Sequence, residues 1–229
     1  MHSLKLEDFD QRMERLILHF TGPQYSTPAE GSAMSEVAEA KKEFFTDAGI
    51  MDEQSDHFEM RMVQFLDWYL FTRPLLRERK TPARFALEID QFSMTAQERL
   101  DFEALSETKH SLFEFLKLRG RDIHIRDLFL DKEIIVRDSP VNLGFTREEI
   151  FDARLVPVGE DHFFARGFCF HPADASKFIR DEIAKLPDWP AHDEKEHLML
   201  RLMKMRYKYE QFRHLRLDMI YSNEKKVRF

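Results

Sequence analysis

The chain changes period near residue 109. Up to Thr108 apolar residues recur every three or four positions. From Ser111 to Phe170 they fall into short runs rich in Phe, Ile, Leu and Val, separated by turn residues. The first pattern belongs to helices that bury one face, the second to short strands joined by tight turns. The pattern therefore predicts an α+β fold: an N-terminal helical layer, a small antiparallel barrel-like sheet, and a long C-terminal helix packing back on the body.

The helical part carries its own punctuation. Phe9, Met13, Leu16 and Phe20 lie on one face of a helix over residues 5–20, closed by Thr21-Gly22-Pro23. A loop follows at 22–31. Ser32 is the expected cap of a second helix ending at Gly49. A third helix, 55–71, is apolar on most faces and stops before Pro74. Its dense run, "MVQFLDWYLF", contains Gln64 and Asp67 and is shorter than the ~18–20 residues that a membrane span requires. Thr81 before Pro82 is a cap with proline in the first turn, and Thr95 with Glu98 has the spacing of a capping box.

Five runs follow: "SLFEFLKL", "DIHIRDLF", "EIIVRD", "IFDARLVPV" and "HFFARGFCF". Arg119-Gly120-Arg121, Asp138-Ser139-Pro140 and Gly159-Glu160-Asp161 punctuate them. Five short strands with tight turns suggest a small barrel or strongly curved sheet. "RGFCF" begins like the strand on which RNA-recognition domains stack bases, but His171 and Pro172 replace its continuation. A hairpin turned at Gly159-Glu160-Asp161, its rings packed on flanking helices, is the better reading. Pro172 then opens a helix through Leu186, and Pro190 a last one reaching about Tyr221. The chain thus divides into a helical region 1–108, a sheet region 109–171 and a helical arm 172–229, read as one compact unit.

With 43% apolar residues, and 22 phenylalanines against seven glycines, the chain can bury a sizeable core. Its N-terminus, "MHSLKLEDFDQRMER", is acidic at once and lacks the apolar segment of a signal peptide. A single cysteine, Cys169, cannot form an internal disulfide. Together these features point to a cytoplasmic protein. From Arg201 onward nine basic residues face three acidic ones, a local charge of +6 within a chain of net −7, which leaves −13 for residues 1–200. Such asymmetry means internal complementarity or a site for an anionic partner.

Residues 58–180 also carry a resemblance. "FLDWYLFTRPL", "KTPARFAL", "SLFEFLKLRGRDIHIRDLFLDKEIIVRDSP" and "EEIFDARLVPVGEDHFFARGFCFHPADA" resemble a group of uncharacterised bacterial proteins, some of which stand beside a zinc-binding SEC-C motif. This chain departs from the zinc-bearing members, because one cysteine cannot build a thiolate zinc site. The resemblance implies a fold and assigns no functional residue.

Three constellations can carry function. "HDEKEHLM" pairs His192 with Glu196 and Asp193 with His197 at i,i+4, so either pair could supply two corners of a metal site; the bland alternative is acids near a helix N-terminus with polar histidines between them. Leu198, Leu202, Met205, Tyr209 and Phe212 form a coiled-coil-like seam that slips to Leu215 and Met219, for a partner helix, a homodimer or the protein's own N-terminal helices. Arg201, Lys204 and Lys208 share another face, suited to a polyanion if not merely solvated. Hydrolase elbows, phosphate loops and dinucleotide fingerprints are absent, and no cofactor is implied. Convergent acid–base sites leave no motif, yet an enzyme is the less favoured reading. The sequence points first to a non-catalytic interaction protein binding a protein partner through its sheet and last helix. A nucleic-acid or other polyanion-binding module using the basic helix comes second, and a metal-dependent enzyme at 192–197 third.

Overall fold

The computed structural model describes residues 6–50, 53–139, 144, 146–187 and 190–224. Pro140 of the expected Asp138-Ser139-Pro140 turn, and the basic residues Lys225, Lys226 and Arg228, lie outside them. The fold is α+β, with an antiparallel sheet curled into a half-barrel and a long helix near the C-terminus. Two compact units interleave along the chain: Met1–Phe44, Asp52–Lys109 and Leu155–Gly167 make the first, and Phe45–Met51, His110–Arg154 and Phe168–Phe229 the second. They cut across the three regions read from sequence.

The first unit is helical at its centre. Helix α1 (Leu6–Phe20) buries Phe9, Leu16 and Phe20; α2 (Pro23–Ser26) is a single turn within the expected 22–31 loop. Helix α3 (Glu36–Asp47) starts later than expected, because Ser35 and not Ser32 caps it: Ser35 Oγ accepts from Ala38 N, while Ser32 Oγ bonds Met34 O. The most buried helix is α4 (Phe58–Phe71), where Phe65 stacks on Tyr69 and Tyr69 Oη donates to Phe20 O at 2.9 Å. Both predicted caps are present: Thr81 opens α5 (Pro82–Ala86), and a full capping box at Thr95 and Glu98 opens α6 (Ala96–Ser106). Arg73, itself buried, is held by Glu36 and Glu43.

The second unit holds most of the sheet. Strands β1 (Lys109–Arg119), β2 (Asp122–Asp127) and β3 (Lys132–Val136) form an antiparallel meander, with a bulge in β1 between Phe115 and Lys117. The buried Asp127 carboxylate shapes the β2–β3 turn: its Oδ1 accepts from Ser111 Oγ and from the amides of Phe129 and Leu130. β1 also neighbours β4 (Ile150–Val158), whose start pairs with β6 (Cys169–Phe170). Beyond lie a 3-10 turn (Ala173–Ala175), α7 (Ser176–Ile183), α8 (His192–Gln211) and α9 (Leu217–Ile220). Leu112, Ile150, Ile179, Leu202, Ile220 and Tyr221 are part of one apolar core.

Where the second half of β4 enters the first unit, it pairs with β5 (Asp161–Phe164) through a two-residue turn, Gly159-Glu160, in which Gly159 has φ +63°. The hairpin is the one expected, but the strand "HFFARGFCF" is not continuous. It breaks at Ala165–Phe168, where Gly167 N donates to Asp67 Oδ2 at 3.1 Å and Arg166 pairs with Asp10. A buried carboxylate takes the amide that a strand neighbour would otherwise have used. A β-carbon at Gly167 would lie 2.6 Å from Asp67 Oδ2, so any larger residue would have to displace that carboxylate. Gly167 in "RGFCF" thus serves a carboxylate and not a stacking platform.

The last helix is also shorter than expected. α8 stops at Gln211; residues 212–216 turn before α9, so that Ile220 and Tyr221 join the core. Neither glycine nor proline marks that stop.

Candidate binding site

Helix α8 opens with Glu194 accepting from Ala191 N at 2.8 Å, and its residues serve the second unit in three different directions. One direction is inward. Of the predicted seam, Leu198, Leu202 and Met205 are buried in the core of the second unit, and Tyr209 and Phe212 are half-buried against it. The seam is therefore occupied by groups of its own unit, among them Leu112, Ile150 and Ile179.

A second direction brings Glu196 to the sheet. His110 on β1 lies between two carboxylates, with Nε2 2.7 Å from Asp152 Oδ1 of β4 and Nδ1 3.1 Å from Glu196 Oε2. Burial alone would lower the His110 pKa, but the charges of Asp152 and Glu196 outweigh it, against Arg154, and raise it to about 9. Burial pushes the Glu196 carboxyl up, while His110 pulls it below its ordinary value. Asp152 Oδ2 and Glu196 Oε1 are buried without a hydrogen-bond partner. With both ring nitrogens engaged, His110 joins strand to helix and has no free lone pair for a substrate or a metal. His192 and Asp193 are exposed, and His197 Nδ1 donates to the backbone oxygen of Asp193. Among the described residues no group of three or more His, Cys, Asp or Glu side chains is arranged to hold a metal ion.

The basic stripe is engaged as well. Arg201 pairs with the buried Glu182 and donates to Asn223 Oδ1, and Lys204 Nζ donates to Thr46 O at 2.7 Å. Lys208 is half-buried; burial, then the neighbouring Lys204, lowers its pKa. Glu182 also receives Lys185 and Asn223. Burial would raise its carboxyl, and these donors pull it down to about 2.

The third direction makes a pocket. Arg206, Tyr209, Glu210 and Arg213 follow at i, i+3, i+4 and i+7, the spacing of one helical face, although Arg213 falls just past the end of α8. They wall an opening of about 430 Å³. Phe170 at the end of β6, then His171, Pro172 and Ala173, form another wall, and Glu149 also lines the opening. Arg206 Nε donates to Phe170 O at 2.5 Å, and its Nη2 pairs with Glu210 at 2.6 Å. Glu149 accepts from Thr146 N at 2.9 Å. Arg213 is exposed, and its guanidinium has no hydrogen bond or ion pair among the described residues.

His171 lines this pocket while being only 2% exposed. Its Nδ1 is 3.1 Å from Tyr221 Oη, and its Nε2 is buried with no partner. Burial, then the charge of Arg206, lowers its pKa to about 3, so the ring is neutral. Tyr221 is held as a phenol by its burial. When Tyr221 Oη donates to Nδ1, the single ring proton sits on Nε2, a donor left unmet by the protein. Sequence reasoning missed this face because the seam and the basic stripe run along the same turns of helix. The 206/209/210/213 spacing was its only local signal, and His171 comes from a different element.

The model of a protein family matches residues 32–211 of this chain, taking in the sheet, β6 and all of α8. The chain belongs to the family of unknown function DUF7986. That assignment agrees with the resemblance to an uncharacterised family and extends it toward both ends, from 58–180 to 32–211. The pocket of this DUF7986 member falls inside the matched segment except for Arg213, two residues beyond it. No curated protein and no solved structure matches the chain.

Proposed function

We propose that this DUF7986 member is a non-catalytic interaction protein that recognises its partner at the pocket between β6 and the C-terminal part of α8. The observation that carries this reading is Arg213: an exposed guanidinium without a partner among the described residues, lining an opening that is also lined by His171, whose Nε2 is buried with no hydrogen-bond partner. Concave sites with a few convergent polar groups on an apolar wall are the usual form of a binding site. Phe170, Pro172 and Tyr209 supply the apolar part here. His171 suits recognition better than proton transfer, since burial and Arg206 hold it neutral down to about pH 3.

Both elements named from sequence, the sheet and the last helix, take part in this reading. The helix contributes its 206/209/210/213 face and not its apolar seam. The reading keeps the protein in the cytoplasm, where its one cysteine, buried Cys169, stays a thiol. None of its described helices is long and apolar enough to cross a membrane. The test is a photo-crosslinking residue at Ala173, on the pocket wall, compared with one at Lys177, exposed on α7. In living cells Ala173 should yield one discrete adduct that Lys177 does not. Equal adducts, or none from Ala173, would sink the proposal.

A further inference from the structure

The pocket holds charges of both signs, but they are not equally free. Glu210 is tied to Arg206, and Glu149 accepts from the amide of Thr146. Arg206 spends Nε on Phe170 O and Nη2 on Glu210. Among the described residues Arg213 has no hydrogen bond or ion pair. Each acid thus has one shown partner, Arg206 for Glu210 Oε1 and Thr146 N for Glu149, while among the described residues the Arg213 guanidinium and His171 Nε2 have none. Two arginines and two glutamates give the lining a formal charge of zero. A dianion such as phosphate would face Glu149 and Glu210 with no excess of positive charge, whereas a singly charged planar anion matches the fork of one arginine.

Resting on the proposed binding role of this site, we infer that the pocket receives a single carboxylate carried on a small apolar or aromatic body. Arg213 takes the carboxylate in its fork, Arg206 and His171 Nε2 donate from the inner wall, and the body lies against Phe170, Pro172 and Tyr209. The same chemistry is offered by a free aromatic acid and by the C-terminal carboxylate of a partner chain. A pocket of about 430 Å³ lies at the small end of ligand sites, enough for one ring and its acid. Arg213→Gln should leave the fold intact, because Arg213 is exposed and makes no hydrogen bond or ion pair among the described residues.

The experiment follows the ring nitrogens of His171 by NMR in the full chain during titration with benzoate, benzamide, inorganic phosphate, and N-acetyl-phenylalanine as free acid and as amide. Benzoate should shift Nε2 saturably, benzamide should not, and Arg213→Gln should weaken benzoate about tenfold or more. Arg213→Lys, which keeps the charge and loses the fork, should fall between. If N-acetyl-phenylalanine binds more tightly than benzoate, and its amide does not bind, the source is a chain terminus; the reverse order points to a free acid. A preference for phosphate, equal binding of benzoate and benzamide, or an unchanged Arg213→Gln would overturn the carboxylate assignment, as would the absence of any shift. Crosslinking from Ala173 judges the binding role separately, so a partner found there without a carboxylate response would remove only the ligand class.

Discussion

His110 Nε2 stands 2.7 Å from Asp152 Oδ1, and the ring's other nitrogen faces Glu196 at 3.1 Å, so one imidazolium joins two strands to the last long helix. The three residues come from β1, β4 and α8, and all belong to the second unit. A buried pair of carboxylates on one histidine is stable only while that histidine keeps both protons.

The pH dependence follows from the sign of that shift. His110 is raised from an ordinary 6.5 to about 9, so its contribution is fully present below pH 6.5 and is lost as pH rises through 9. Urea denaturation should show wild type losing on the order of 3 kcal/mol across that window. His110→Gln should start lower and lose much less. A wild type whose stability is flat from neutral pH to beyond 9 would contradict this account of the site.

Glu182 gives the opposite slope. Its carboxyl is lowered from 4.5 to about 2, so its contribution is present above pH 4.5 and disappears as pH falls through 2. Lys185 and Arg201 are 61% and 44% exposed, which screens the interaction to on the order of 1–2 kcal/mol. Arg201→Glu should therefore destabilise the fold by a similar amount through the loss of Glu182, whatever it does to anion binding. Thermal melts at neutral and acid pH check both statements: the gap between wild type and Glu182→Gln should close in acid.

Gly167→Ala should cost about 1–3 kcal/mol, because the new methyl meets a carboxylate oxygen held 2.6 Å away. Asp67→Ala in the same chain should recover part of that loss, since it removes the obstacle. A double-mutant cycle measured by chemical denaturation decides the point. Additive costs would mean that Gly167 is required for some other reason.

Local chemistry was the part of the fold legible in sequence. The Thr81 and Thr95 caps, the Gly159-Glu160 turn and the change from helix to strand near residue 109 each depend on neighbours within a few positions. Features set by distant residues were not legible. The break at Gly167 depends on Asp67, 100 positions away, and the end of α8 is marked by neither glycine nor proline. The candidate site mixes the two. Its helical face has a readable i, i+3, i+4, i+7 spacing, but His171 gains its meaning only from the packing of Tyr221 and Arg206 around it. The seam from Leu198 to Phe212 was equally readable as an apolar stripe, while its occupant, the core of the second unit, was not.

The most direct test of the binding role is native mass spectrometry of untagged protein purified gently from its own cells, wild type beside Arg213→Glu. The account predicts that wild type carries a bound partner or small acid and that the variant, folded to the same degree, has lost it. The same adduct on both proteins, or a bare chain in both, would contradict it.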